Sequence, residues 1–262
     1  MSRVKKSRKK RVIISLVSVF TFIGILVGSF FIYVSIYNHA TDNAVNYLSD
    51  STLSEVKDND DYVTFEPKSK LNPLKNVGFI FYPGGKVEYK AYAPLLRDLS
   101  DNGVTCILVK MPFNLAVFNV NGADKKQSLY SNISTWYIGG HSLGGAMACS
   151  YLAEHHDSYR GLILMGSYST VDLSSYTNLS TLSLLAENDK VINKEKYESN
   201  KKYLPDLTEY TIKGGIHSYF GDYGIQSGDG NPTITCEEQR NEIRTTIVTN
   251  IVANAAKDLL NR

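Results

Sequence analysis

The residues with the clearest chemical meaning are Gly140-His141-Ser142-Leu143-Gly144, which match the pattern G-x-S-x-G. Chance matches to that pentapeptide are common, so its setting decides. An apolar run (Trp136, Tyr137, Ile138) leads into it, and a helical pattern with Ala146, Met147, Ala148, Tyr151 and Leu152 leads out. A serine on a sharp strand-to-helix turn is backbone-strained and needs small neighbours so that adjoining chain can approach. Gly140 and Gly144 supply them, with Gly139 and Gly145 extending the clearance. The helix start adds N–H groups and a positive dipole end beside the hydroxyl. The chemistry this suits is nucleophilic attack on an acyl carbon. The bland alternative is an ordinary glycine-rich turn between a strand and a helix.

A serine needs a base, usually a histidine held by a carboxylate. The chain has five histidines, few enough to sort by position. His39 follows the apolar N-terminal run, His141 is inside the turn, and His155 and His156 close the helix after it, where cations suit the dipole. His217 remains, just past the strand-like LTEYTI and the pair Gly214-Gly215. Catalytic groups of open α/β sheets collect at that edge. The carboxylate belongs between serine and histidine, after a strand. LSLLAENDKVI offers Asp189, with Glu187 two residues earlier and Asp172 after the preceding strand as alternatives.

Acyl chemistry also needs donors for the developing oxyanion. One is the N–H of Leu143, and the second should come from the turn after the first central strand. That turn is Pro83-Gly84-Gly85-Lys86, where Gly84, Gly85 or Lys86 can supply the group. Lys86, Met111, Phe113, Asn114, Tyr219 and Phe220 are expected to line the substrate pocket. Asp222 and Asp229 suggest an ordered loop beneath the histidine. No metal site or cofactor is expected, because the chain has no HExxH, no CxxC and no nucleotide-binding glycine fingerprint. Three cysteines are too few and too odd for a disulfide scaffold and read as small buried hydrophobes.

These groups need a scaffold, and the apolar pattern describes one. Strand-like runs fall at Tyr62–Glu66, Val77–Tyr82, Val104–Val109, Thr135–Ile138, Gly161–Met165, Leu182–Ala186 and Thr208–Ile212. Stretches of helical period lie between them at Tyr89–Ser100, Leu143–Glu154 and Lys194–Tyr203. Buried strands alternating with amphipathic helices predict an α/β fold, a mostly parallel sheet covered on both faces. Thr235-Cys236-Glu237-Glu238 is a capping box opening a last helix with Ile243, Ile247 and Ile251 on one face. Only Ser167–Asn178 separates two of the later strands, too short for a cap domain.

The N-terminus is built differently. Residues 1–11 carry seven basic side chains and no acid, and residues 12–37 carry no charge. As a helix the second stretch spans about 39 Å against roughly 30 Å of bilayer hydrocarbon. It is too long for a cleaved leader and apolar on all sides, so it is expected to be a transmembrane signal anchor. The positive-inside bias keeps residues 1–11 in the cytoplasm and sends the rest outside. The expected order is therefore tail (1–11), anchor (12–37), polar stalk (38–61) and catalytic domain (62–262). The formal charge of +2 conceals this split, since residues 12–262 hold 21 basic against 26 acidic side chains. A lipid bilayer is the expected partner of the N-terminus; a nucleic acid is not expected.

The blocks FYPGGKVEYKAYAPL, VKMPFNLAVF, GGHSLGGAMA, AENDKV and GGIHSYFGDYGIQSGDG together resemble the α/β-hydrolase superfamily. They are most similar to its lidless dienelactone-hydrolase-like branch, found in membrane-anchored or exported bacterial proteins. The resemblance implies Ser142, Asp189 and His217 as a triad, with the YPGG turn completing the oxyanion hole. Dienelactone hydrolases proper use a cysteine nucleophile, so Ser142 points to a carboxylic ester rather than a lactone. Two other functions use the same fold: acyl transfer at the cell envelope, and a non-catalytic binding module.

Overall fold

The computed structural model describes residues 2–69 and 71–260, without the side chains of residues 2–9, 11 and 12. The basic run expected to set orientation thus falls, apart from Lys10, outside the described side chains. The chain divides into two units, Met1–Tyr37 and Asn38–Arg262.

The first unit is one helix, α1 (Ser2–Ser35). Its portion Ile13–Ser35 is 23 residues long and, by length and composition, apolar enough to cross a bilayer. Ile14, Phe20 and Ile25 are each more than half exposed on it. A helix with an apolar surface all round is unlike the one-sided helices of a soluble core.

The second unit is built on an eight-stranded sheet. Its strands are β1 (Ser54–Asp58), β2 (Tyr62–Pro67), β3 (Val77–Tyr82), β4 (Thr105–Val109), β5 (Thr135–His141), β6 (Gly161–Met165), β7 (Ser180–Ala186) and β8 (Leu207–Ile212). Their order is β1-β2-β4-β3-β5-β6-β7-β8. β3 to β8 are parallel, and β1 and β2 close one edge as an antiparallel pair. Side chains alternate across the sheet with period two. On β3, Phe79 and Phe81 enter one core layer with Leu96 and Leu99 of α3 (Ala93–Asp101) and with Ile243, Ile247 and Ile251 of α6 (Cys236–Leu260). Ile80 and Tyr82 enter the other, with Ala148, Cys149 and Leu152 of α4 (Leu143–His155). Both faces are covered, as continuous apolar strands require.

The expected polar stalk is not a stalk. Residues 38–61 contribute the short helix α2 (Asp42–Asn46) and the edge strand β1. The sequence hides β1 because an edge strand buries little: Ser54-Glu55-Val56-Lys57-Asp58 has one apolar residue. Its charges suit a strand that must not pair with another chain. The other expected strands and helices, among them α5 (Lys194–Asn200), form within a few residues of their predicted limits. Residues 166–179 contain no helix or strand, so no cap is inserted between β6 and β7.

The capping box at α6 forms reciprocally. Thr235 Oγ1 accepts from Glu238 N (3.1 Å), and Thr235 N donates to Glu238 Oε2 (2.7 Å). Thr235→Ala is expected to cost about 1 kcal/mol. In thermal denaturation this should appear as a fall in Tm of roughly 2–4 °C.

Candidate active site

Parallel strands deliver their C-terminal ends to one edge, where Ser142, Asp189 and His217 follow the ends of β5, β7 and β8. Among the described residues Asp189 and His217 are bonded to one another, and the Ser142 hydroxyl has no hydrogen bond to His217. Ser142 sits between β5 and α4 with φ 50° and ψ −120°. Such a conformation costs a non-glycine residue of order 1–3 kcal/mol and persists only where its surroundings enforce it. Here Ser142 N donates to Met165 O (2.9 Å) at the end of β6, and Ser142 O accepts from Ser167 Oγ (2.7 Å). Gly144 makes the turn feasible, since a Cβ there would lie 2.2 Å from the Tyr82 carbonyl oxygen.

His217 opens a 3-10 turn (His217–Phe220) after β8 and is 2% exposed; Asp189 is 1% exposed. His217 Nδ1 lies 2.7 Å from Asp189 Oδ2. The other oxygen, Oδ1, accepts from the N–H groups of Val191 (2.7 Å) and Ile192 (2.9 Å), which fixes the carboxylate. The alternatives are occupied elsewhere. Glu187 Oε2 accepts from Gly214 N (2.8 Å), and Asp172 Oδ1 from the N–H and hydroxyl of Ser174.

The loop carrying His217 is held from two sides. Asp229 accepts from the N–H groups of His217 (3.3 Å) and Ser218 (2.7 Å), as the ordered-loop expectation required. Burial pushes the Asp229 carboxyl up, but bonds from Ser218 and Gly230 and the nearby His217 outweigh it and leave it lowered. Asp222 caps the same loop, receiving Thr41 Oγ1 (2.8 Å) and Asn43 Nδ2 (2.7 Å). From below, the fully buried Gln239 of α6 accepts from Ile216 N and donates to Ile216 O, both at 2.9 Å. Gln239 was not foreseen. Its signal was present, because it lies four residues before Ile243 on the apolar stripe, where a polar side chain must have a partner.

A second unforeseen group is Tyr92. Gly84 N donates to its hydroxyl (3.0 Å), and the hydroxyl lies 2.8 Å from His141 Nδ1. Burial raises the Tyr92 pKa well above its ordinary value, so the hydroxyl keeps its proton beside His141 Nδ1. His141 Nε2 is buried without a hydrogen-bond partner among the described residues. The His141 ring centroid is 4.4 Å from that of His217, and Phe220 flanks both rings. Burial, and then the neighbouring His217, lower the His141 pKa well below 6.5.

This arrangement narrows the oxyanion donors. Gly84 N–H is engaged by Tyr92, and Lys86 N–H donates to Asn114 O (2.8 Å). Gly85 is the member of the turn whose N–H bonds no protein acceptor among the described residues. It packs on Leu143, where a Cβ on Gly85 would come within 2.8 Å of Leu143 Cδ2. Of the expected oxyanion donors Leu143, Gly84 and Gly85, Gly84 thus has its N–H bonded within the protein.

A cleft of about 350 Å³ opens beside Ser142, lined by Leu143, Met147, Ser167, Tyr168, Val191 and Ile192 among others. None of the expected pocket residues is among its lining. Phe220 is buried behind the two histidines, and Met111 is 8% exposed in the core. Phe113 is 45% exposed; Lys86, Asn114 and Tyr219 are in turns outside the cleft lining. The physical reason is that the residues after β6 and after Asp189, on the other side of the serine, form the walls. No group of three or more His, Cys, Asp or Glu suited to a metal occurs among the described residues. All three cysteines are free, and burial pushes the Cys149 thiol up to about 12.

Residues 78–241 match the Alpha/beta hydrolase family, and the chain belongs to that family. The fold is similar to that of Est1E from Butyrivibrio proteoclasticus, at 14% identity and TM-score 0.53, covering 77% of this chain and 100% of that one. The same protein with ferulic acid bound gives TM-score 0.56 at 14% identity, covering 78% and 98%. A structure from work on two fungal esterases of Rhizomucor miehei gives TM-score 0.54 at 16% identity, covering 82% and 88%. No curated protein matches the chain.

The depressed His141 pKa has a stability consequence. The unfolded chain binds a proton at this residue below about pH 6.5, while the folded chain keeps it neutral. His141 therefore contributes fully above that pH and loses stability as pH falls below it, by up to about 1.4 kcal/mol per pH unit. Chemical denaturation from pH 7.5 to 5 should show this slope, and His141→Phe should flatten it.

Proposed function

We propose that this protein is a membrane-anchored serine esterase of the lidless, dienelactone-hydrolase-like type. The observation that carries the reading is the 2.7 Å pair of His217 and Asp189, both buried, at the sheet edge that also bears the strained Ser142. Ser142 Oγ attacks the ester carbonyl while His217 Nε2 takes its proton. Asp189 holds the imidazole tautomer and stabilises the imidazolium. The oxyanion is received by the N–H groups of Leu143 and Gly85. His217 then protonates the departing alcohol, and water, activated by the same histidine, releases the acid from Ser142. The neutral His141 suits this cycle, because a second imidazolium beside His217 would oppose its protonation.

Est1E, whose fold this chain shares, has been captured with ferulic acid, and its fungal counterpart above comes from work on esterases. Both are consistent with a carboxylic ester as substrate. The charge pattern supports a cytoplasmic N-terminus, a single span and an extracellular catalytic domain. The use of residues 38–43 within the folded unit disfavours cleavage inside that stretch, which would remove residues bonded to Lys86, Glu88 and Asp222.

The test is labelling of the detergent-solubilised full chain with a fluorophosphonate probe. The unaltered chain should label and Ser142→Ala should not; failure of both to label contradicts the proposal. Asp189→Asn should retain the fold yet lower kcat/KM for a short ester by about 10⁴-fold.

A further inference from the structure

The turn Pro83-Gly84-Gly85-Lys86 has little stiffness of its own. Two successive glycines leave the peptide between them free to rotate, since neither carries a Cβ. The direction of the Gly85 N–H must therefore be imposed from outside. On one side Lys86 N donates to Asn114 O (2.8 Å), and Lys86 O accepts from Asn38 N (2.8 Å). On the other, Gly84 N donates to the Tyr92 hydroxyl (3.0 Å).

Tyr92 reaches this turn from the 3-10 turn Tyr89–Tyr92. It is completely buried, and its ring packs on Phe81 with centroids 4.9 Å apart. For packing alone a phenylalanine would fill the space. What differs is the hydroxyl, and both its contacts are with segments that carry the site. One is Gly84 N; the other, at 2.8 Å, is Nδ1 of His141, the residue before Ser142. The three groups close over one another, because a Cβ on Gly84 would lie 2.7 Å from both the hydroxyl and His141 Nδ1. The same 3-10 turn also holds the histidine loop, where Asp222 N donates to Ala91 O (2.8 Å). Polar groups buried in this way keep their partners, since an unmade bond there costs the full desolvation of each group.

We propose that Tyr92 is a positioning residue: its hydroxyl, braced by His141, fixes the glycine turn so that the Gly85 N–H faces the oxyanion. This rests on the serine-esterase reading. Tyr92 acts through Gly84 on an interaction that exists only as the oxyanion forms. Loss of such an interaction lowers kcat and leaves KM in place. A merely structural role would lower Tm without that split.

The experiment uses the detergent-solubilised full chain with p-nitrophenyl acetate as substrate. Hexyl trifluoromethyl ketone serves as a reversible inhibitor: Ser142 Oγ adds to its carbonyl carbon, giving its proton to His217, and the carbonyl oxygen becomes the oxyanion. Tyr92→Phe keeps the ring and removes the hydroxyl. It should lower kcat and kcat/KM together by about 10- to 100-fold, the size of effect that a small misplacement at an oxyanion site produces. KM should stay within about twofold, and the inhibition constant of the ketone should rise by the factor by which kcat/KM falls. Phe81→Leu removes packing from the same ring and no hydrogen bond, so it should lower Tm yet keep kcat within about threefold. At His141 an asparagine amide reaches the place of Nδ1, so His141→Asn should exceed His141→Leu in kcat by about tenfold.

Unchanged kcat in Tyr92→Phe overturns the proposal. So does a loss carried by KM with the ketone bound as before, or an equal loss in Phe81→Leu. If Tyr92→Phe shows no cooperative thermal transition, the two His141 variants decide, and equal kcat in them overturns it. A chain that takes a fluorophosphonate without cleaving this ester keeps the esterase reading, and the ketone constants then decide. If the unaltered chain does neither, the esterase reading fails and this inference with it.

Discussion

The backbone of Ser142 is the constraint around which the second unit is organised. A non-glycine residue at φ 50° and ψ −120° is held against its preference. Three neighbours enforce it: the Met165 carbonyl, the Ser167 hydroxyl and the close passage of Tyr82–Pro83 over Gly144. The first two lie at the end of β6 and the third at the end of β3. The site therefore depends on the register of β3, β5 and β6, which pairs Tyr82 with Gly140 and Gly140 with Leu164. A parallel sheet aligned in this way is also what allows residues from distant parts of the chain to meet at one edge.

Polar groups buried beside the serine are almost fully partnered, which is what a water-poor site requires. Asp189 has three donors, Asp229 ties down the histidine loop, and Gln239 satisfies both backbone groups of Ile216. His141 Nε2 is an exception among the described residues. Its ring nevertheless does two jobs: through Tyr92 it fixes Gly84, and it stays neutral against the face of His217. The glycine turn and the histidine are thus connected through the core as well as through residues 38–43, which bond to Lys86, Glu88 and Asp222.

Much of this was legible from periodicity. The central strands are apolar runs bounded by turn residues, and Thr235 with Glu238 announces α6 before any packing is considered. Order and elimination point to Asp189 and His217, and the two side chains lie 2.7 Å apart because β7 and β8 end side by side. What escaped was whatever depends on one-sided burial or long-range partners. β1 carries one apolar residue because it has an edge to itself. Tyr92 is one tyrosine among eighteen, and nothing in its neighbourhood marks it as the partner of Gly84. The cleft beside Ser142 is walled by residues other than those the sequence suggests, because which side of a serine opens depends on loop packing, not on loop composition. Residues 38–44 looked polar enough for a linker, but their hydroxyl, amide and backbone groups are spent on Asp222, Lys86 and Glu88.

The proposed esterase chemistry requires a carbonyl carbon to meet Ser142 while its oxygen faces Leu143 and Gly85. A crystal structure of the full chain after reaction with a fluorophosphonate examines that arrangement directly. The account predicts phosphorus bonded to Ser142 Oγ, with the phosphoryl oxygen about 2.7–3.1 Å from the N–H groups of both Leu143 and Gly85. Gly84 N should remain on Tyr92. An adduct on any other residue, or a phosphoryl oxygen turned away from Gly85, would contradict it.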